Sequence, residues 1–478
     1  MNLNRSFTMA CLIALGCLPS CTAEISVPEP APAAANVEVL GEIAAAVDHA
    51  PVAAKELFVT DLSVVNASAY TSYRPGKWNT NPEGGFSFGR LIDNLSPSEK
   101  PDDRQRSDLV VRWLKLWETP QNVNGQVLAA RPLIREKLIT PWKLSSVGKL
   151  GNTAASCTAS PDTDFTCKLS FAPEVVPFRL LAVVNRPDLR RIPRAGDATS
   201  GSAAQGRFVF GVLDAVTKLQ LQFTVIFEYM VPIRGLNDIQ TYAGAWHKLG
   251  KLSFGSDFNE KLFELTRSFT QWNVAPHRNN GSALLQIRTN EVVLAEPGSD
   301  PSSSRGLMWE LREFVVGAGG ALVADTVKQE PPIALSGSDV LGAWVLGNSA
   351  QILNGTHDVP SVLPGGVPFL AASSFTPAVF SWQVPGASEE LRRAFALGTC
   401  NGCHRSETAT SFLHVKNREA SAAAVLSPFL TAELAVGGPR IADFSALLVQ
   451  DFSTIKDGKG KDHGHDEDEN DGDADDAN

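Results

Sequence analysis

The chain has 478 residues, 43% hydrophobic and 20% charged, a globular composition with apolar material for a large core and two or more folded units. Its formal net charge of −10 sits at one end: from Asp457 onward ten acids and two lysines give −8, leaving −2 for everything before. A nearly neutral body with no basic stripe excludes nucleic acid as an expected partner.

At the N-terminus, Arg5 precedes a short apolar run over 7–18 and then small residues, the pattern of an export signal. Its end, Leu18-Pro19-Ser20-Cys21, resembles the lipobox of bacterial lipoproteins, and Ala14-Leu15-Gly16-Cys17 is a second candidate. The expectation is a signal peptide over 1–21, lipid on Cys21, and an exported protein in the periplasm or outer membrane whose only membrane contact is that lipid. No later stretch reaches the roughly 18 uninterrupted apolar residues of a spanning helix. Residues 22–55 are rich in Pro and Ala and read as a stiff tether.

Cys11, Cys17 and Cys21 belong to the signal region, and the other four cysteines form two pairs. Cys157 and Cys167 flank a turn-rich segment and, in an oxidising compartment, are expected to close a local disulfide across a hairpin. Helical spacing covers 107–119, and β-branched and aromatic runs predict strands over 176–185, 206–214 and 219–232. Residues 238–270 switch to helical periodicity, with Trp246, Leu249, Phe258, Leu262, Leu265 and Phe269 as the buried stripe. Strand character returns over 284–295, 308–316 and 321–329, the last two joined by the glycine-rich turn 317–320. Helical signals cover 339–352, and Gly, Pro and Ser punctuate a linker over 354–388. A helix starting near Ser388 leads to Cys400, and a short one covers 422–434. The fold class expected is therefore α+β: a large strand-rich domain with helices over 56–353, then a small helical segment over 389–455 and a solvated acidic tail over 456–478.

The pattern carrying most chemistry is CNGCH, Cys400 to His404. On a helical turn, residues at i, i+3 and i+4 share a face, so Cys400 and Cys403 face the two vinyl groups of a c-type haem while His404 meets the iron as proximal ligand. Two other readings stay open: a second structural disulfide, and tetrahedral zinc held by Cys400, Cys403, His414 and either His404 or an upstream histidine. The last methionine is Met308, upstream of the motif, so the usual methionine ligand is missing downstream and His414 is the candidate distal ligand.

The blocks FRLLAVVNRPDL, GRFVFGVLD, FTVIFEYMVP, WHKLG, LLQIRTNEV, WELREF, TVKQEP and FALGTCNGCHRSETATSFLHV follow one another between about residues 178 and 452. In that order they resemble a family of secreted or lipid-anchored bacterial proteins seen mainly in myxobacteria and related environmental Gram-negatives. The resemblance implies a large domain of unassigned activity followed by a cytochrome c-like CxxCH segment, and no substrate.

Arg288, Asn290 and Glu291, with Glu310, Arg312 and Glu313 nearby, read as solvent-facing cross-strand pairs in preference to an acid/base site. No GxSxG, HExxH or Walker loop accompanies them. Asn185-Arg186-Pro187-Asp188 reads as the end of a strand and a turn, and His247 as a packed helix residue. The reading that follows is an exported, lipid-anchored c-type haem protein for electron transfer with an unidentified redox partner. Its alternative is a cell-envelope binding or structural protein whose CxxCH segment is a disulfide- or zinc-stapled cap without haem.

Overall fold

The computed structural model describes residues 51–75, 84–194, 197–295, 308–376, 380–450 and 452. Cys21, the tether up to residue 50 and the acidic tail lie outside them.

Eight strands form one antiparallel sheet: β1 (Phe58–Val59), β2 (Phe178–Arg186), β3 (Ser202–Leu213), β4 (Gln220–Pro232), β5 (Leu284–Glu291), β6 (Trp309–Val316), β7 (Leu322–Asp325) and β8 (Ser374–Thr376). Their order is β1-β2-β3-β4-β5-β6-β8, with β7 also on β6. Sequential strands pair with their neighbours, as short connections favour. The molecule is thus the expected mixed architecture, with the sheet wholly antiparallel.

Because side chains alternate along a strand, the sheet has two chemically different faces. One is aromatic, carrying Phe208 and Phe210 from β3 and Phe227 and Tyr229 from β4, all buried. Helices α1 (Phe88–Asn94), α2 (Asp103–Lys115), α3 (Leu236–Lys251) and α4 (Ser256–Thr270) supply rings to the same core. Phe88 stacks on Phe178 with centroids 3.8 Å apart and meets Phe210 and Phe227 edge-on. Burying such a ring is worth about 1.5–3 kcal/mol. A Cβ at Gly206 on β3 would lie 2.3 Å from the Phe269 ring, so glycine there lets α4 lie flat on the sheet.

Several expectations shift by physical detail. The single helical stretch expected over 238–270 divides into α3 and α4, because the backbone turns extended at Leu252 and Gly255, with φ of 153°, leads into α4. Cys157 and Cys167 are disulfide-bonded, but across short 3₁₀ turns at Ala155–Cys157 and Pro161–Thr163 in place of a hairpin. The stretch 354–388 contains the hairpin Val362–Leu363 with Val367–Pro368, as well as β8, and so contributes to the sheet.

The C-terminal residues do not form a small helical unit of their own. They include α5 (Glu389–Gly398), α6 (Pro428–Glu433) and α7 (Pro439–Leu448). Ile441, Phe444, Leu447 and Leu448 of α7 bury in the same core as α3, while Val415, Ala424 and Leu430 pack on Leu181, Val184 and Val209 of the second sheet face. Arg418 donates through Nη2 to the Leu180 carbonyl at 3.0 Å. The segment roofs the sheet.

Candidate functional site

Cys400 to His404 are mounted by a short hydrogen-bonded frame. Ser388 caps α5 by accepting from the Leu391 N–H, and the helix ends at Thr399. There the Trp382 indole N–H donates to Thr399 Oγ1 at 2.9 Å and to Asn401 Oδ1 at 2.7 Å. The Glu330 carboxylate accepts from the backbone N–H of Cys400 at 2.6 Å and of Asn401 at 3.3 Å. Burial pushes that carboxyl up to about 8, against the pull of those two bonds. Residues Gly402–Ser406 then form a π-helical turn, a form frequent at functional sites. A Cβ on Gly402 would stand 2.0 Å from the Ala396 carbonyl oxygen, so only glycine permits the turn to fold back on α5.

His404 is oriented by the loop after it. Its Nδ1 bonds the Phe412 carbonyl oxygen, which leaves Nε2 as the lone-pair nitrogen. Phe412 holds that carbonyl in place with φ of 66°, a conformation a bulky residue adopts only under compulsion. The same oxygen accepts from Asn290 Nδ2 at 3.2 Å, and Asn290 Oδ1 accepts from the Trp309 indole. Trp309 stacks on both His404 and Phe412, at 5.4 and 5.7 Å between centroids.

Cys400 and Cys403 are free thiols. Burial raises both thiols well above their usual range, Cys403 to about 11, and lowers His404 to about 4. His414 lies beside the pair: its Nε2 is 3.5 Å from Cys403 Sγ and its Nδ1 is 2.8 Å from Ser427 Oγ. The His404 and His414 ring centres are 4.4 Å apart. Two imidazoles facing each other across one metal, with bonds of about 2 Å each, need ring centres roughly 6 Å apart. In this arrangement His414 flanks Cys403 and does not face His404 across a metal. Among the described residues, no group of three or more His, Cys, Asp or Glu side chains is arranged to hold a metal ion.

The turn opens on a cavity of about 390 Å³ between the roof and the second face of the sheet. The floor is polar: Arg186 of β2, Arg207 of β3, Thr224 and Glu228 of β4, and Gln286, Arg288 and Asn290 of β5, each on the face opposite the aromatic core. An adjoining cavity of about 410 Å³ shares Arg186, Gln205 and Gln329 with it. Here the expectation of solvent-facing strand charges is overturned, because Asn290, Glu291, Glu310, Arg312 and Glu313 are all buried. Arg288 pairs with Glu313 across strands, as its register dictates, and approaches Glu228 at 3.7 Å. Burial works against the Arg288 charge, but Glu228 and Glu313 outweigh it and raise the group. Glu291 and Glu310, on the far side of the sheet, meet Arg131, and Glu310 also meets Arg312. These pairs are covered by the chain itself.

Arg186, read as a strand end and turn with a ligand cleft as the weaker alternative, lines the cavity and forms a bidentate pair with Asp188. The signal that could have found this floor is polar residues at period 2 in strands whose other face is aromatic. His247 packs as expected in α3, bonded to the buried Glu56 at 2.8 Å. Comparison of the chain with protein-family models, with curated proteins and with solved structures found no match.

A haem fits the donor set. Two free thiols and an imidazole with its Nε2 uncommitted lie on one turn facing a cavity at the lower end of the roughly 300–1,000 Å³ typical of cofactor pockets.

Proposed function

We propose that this is an exported c-type haem protein of electron transfer, lipid-anchored through Cys21, in which residues 389–455 act as a cytochrome c-like attachment segment seated on the sheet. The observation that carries the reading is the convergence of Cys400, Cys403 and His404 on one turn at the cavity, with His404 Nδ1 tied to Phe412. Cys400 and Cys403 would hold the group by thioethers and His404 would ligate it as proximal residue. A haem bound there supplies a one-electron iron couple. The buried sheet floor and the Trp309 and Phe412 rings shield that centre from water. His414 enters as the distal candidate on condition that the loop carrying it opens away from Cys403.

The test is expression of the full chain with a haem-maturation system. A Soret band and a covalent haem stain that survives denaturation are expected, and loss of the stain in the doubly substituted Cys400→Ala, Cys403→Ala chain. A colourless, folded product would overturn the reading. In the loaded protein, His414→Ala shifts the low-spin spectrum if His414 moves to the iron; an unchanged spectrum removes it as ligand. A second reading, a cell-envelope binding or structural protein with a stapled cap, draws on the 3.5 Å approach of Cys403 to His414. It calls for stoichiometric zinc or a Cys400–Cys403 disulfide in the colourless product.

A further inference from the structure

We infer that Arg186 and Arg440 form a carboxylate-recognition site in the cavity that also holds Cys400 and Cys403. Arg186 ends β2, and Arg440 is the second residue of α7. Both line the cavity with Cys403 and His404, so the sheet and the roof each contribute one guanidinium.

Neither is saturated. Arg186 uses Nε and Nη2 to grip Asp188 at 2.8 and 2.6 Å, leaving Nη1 with no partner among the described residues. Arg440 touches Glu433 only through Nε, at 3.3 Å, so both of its Nη groups are uncommitted among the described residues. Their side chains are only 15% and 13% exposed. Both guanidinium groups are thus half-buried at the cavity, with donor N–H groups left for a bound acceptor.

Charge adds to this. Arg207 and Arg288 share the same floor, and their acids, Glu228 and Glu313, are already engaged by them. Burial together with Arg186 holds Arg440 down to about 10. Arg207, buried and repelled by Arg186, Arg288 and Arg440, falls to about 9 despite Glu228. An incoming anion relieves that crowding, and a carboxylate matches the planar fork of a guanidinium.

The carboxylate has two sources. It belongs to a propionate of the haem, a form that rests on the function proposed above, or to a free small organic acid, a form that does not. The experiment separates them using the full chain produced without haem maturation. Its probes are iron-free protoporphyrin IX, the dimethyl ester of the same porphyrin, and succinate. Binding is followed by porphyrin fluorescence and by calorimetry at low salt.

If the site takes propionates, the free acid binds about tenfold or more tightly than the ester. That gap closes in Arg440→Gln and Arg186→Gln and survives in Lys261→Gln, a surface control. If it takes a free acid, succinate binds with an affinity that falls with salt and is lost in the same two variants. Equal binding of acid and ester together with no succinate binding overturns the inference, as does a gap unchanged in both arginine variants. Should Arg440→Gln fail to fold, the acid-against-ester and succinate measurements on the unaltered chain still decide. Covalent haem staining of matured protein is read separately, so failure of the haem reading is distinguishable from failure of this site.

Discussion

Gly402 shows how one atom governs the site. The turn that presents His404 folds back so far that a methyl group would meet the Ala396 carbonyl at 2.0 Å, and that carbonyl is held by the Thr399 hydroxyl at 2.7 Å. Backbone oxygen cannot retreat as a flexible side chain can. Gly402→Ala is therefore expected to cost about 1–3 kcal/mol, the range for overpacking a tight interior, read as a lower urea midpoint with an unchanged slope. Because the strain falls on the link between Cys400 and Cys403, the same variant should also give weaker covalent haem staining per folded molecule. A midpoint equal to the parent would show that the turn is free to relax.

At the scale of elements, α2 and the disulfide loop are joined by one acid. Asp164 is fully buried and receives Lys143 at 2.8 Å, Lys115 at 2.9 Å and Arg135 at 2.7 Å. Lys143 is fully buried as well, so Asp164→Asn leaves an interior cation poorly compensated, and a loss of about 3–5 kcal/mol is expected in denaturant unfolding. Burial opposes the Asp164 charge, but the three cations outweigh it and hold its pKa well below the ordinary aspartate value of 3.8. The unfolded chain then binds the proton first on acidification, so the contribution is complete above 3.8 and fades as pH falls below it. The gap between parent and variant should narrow there. This cluster was not legible beforehand, since its members lie tens of residues apart and their convergence depends on how α2 meets the loop. By contrast, β2 to β6, α2 and the Ser388-capped α5 were legible, because periodicity and a capping serine act over a few residues. The motif at 400–404 was legible for the same reason. Arg288 and Asn290 on the cavity floor were misread as solvated because alternation locates a face without saying what covers it. The cover comes from residues more than a hundred positions later.

Over the whole molecule, that roof makes the C-terminal residues part of the main fold. α7 puts Ile441, Phe444 and Leu447 into the core shared with α3, and the second face of the sheet carries charges whose burial depends on the segment above them. A chain ending at Pro385 would expose both an apolar patch on the core and the uncovered Arg207, Glu228 and Arg288. Removing apolar cover and hydrating paired charges act on the same sheet, so the damage should be global. The truncated chain is expected to lose the single cooperative thermal transition of the parent and to bind a hydrophobic dye. The complementary fragment, residues 389–455 alone, lacks the floor, Trp309 and Asn290, so His404 loses its stacking partner and Phe412 loses a donor to its carbonyl. It should remain unfolded by far-ultraviolet dichroism even in the presence of a haem-maturation system. A well-folded fragment with native-like helicity would show that attachment and sheet are separable units after all, and would place the proposed haem attachment entirely within residues 389–455.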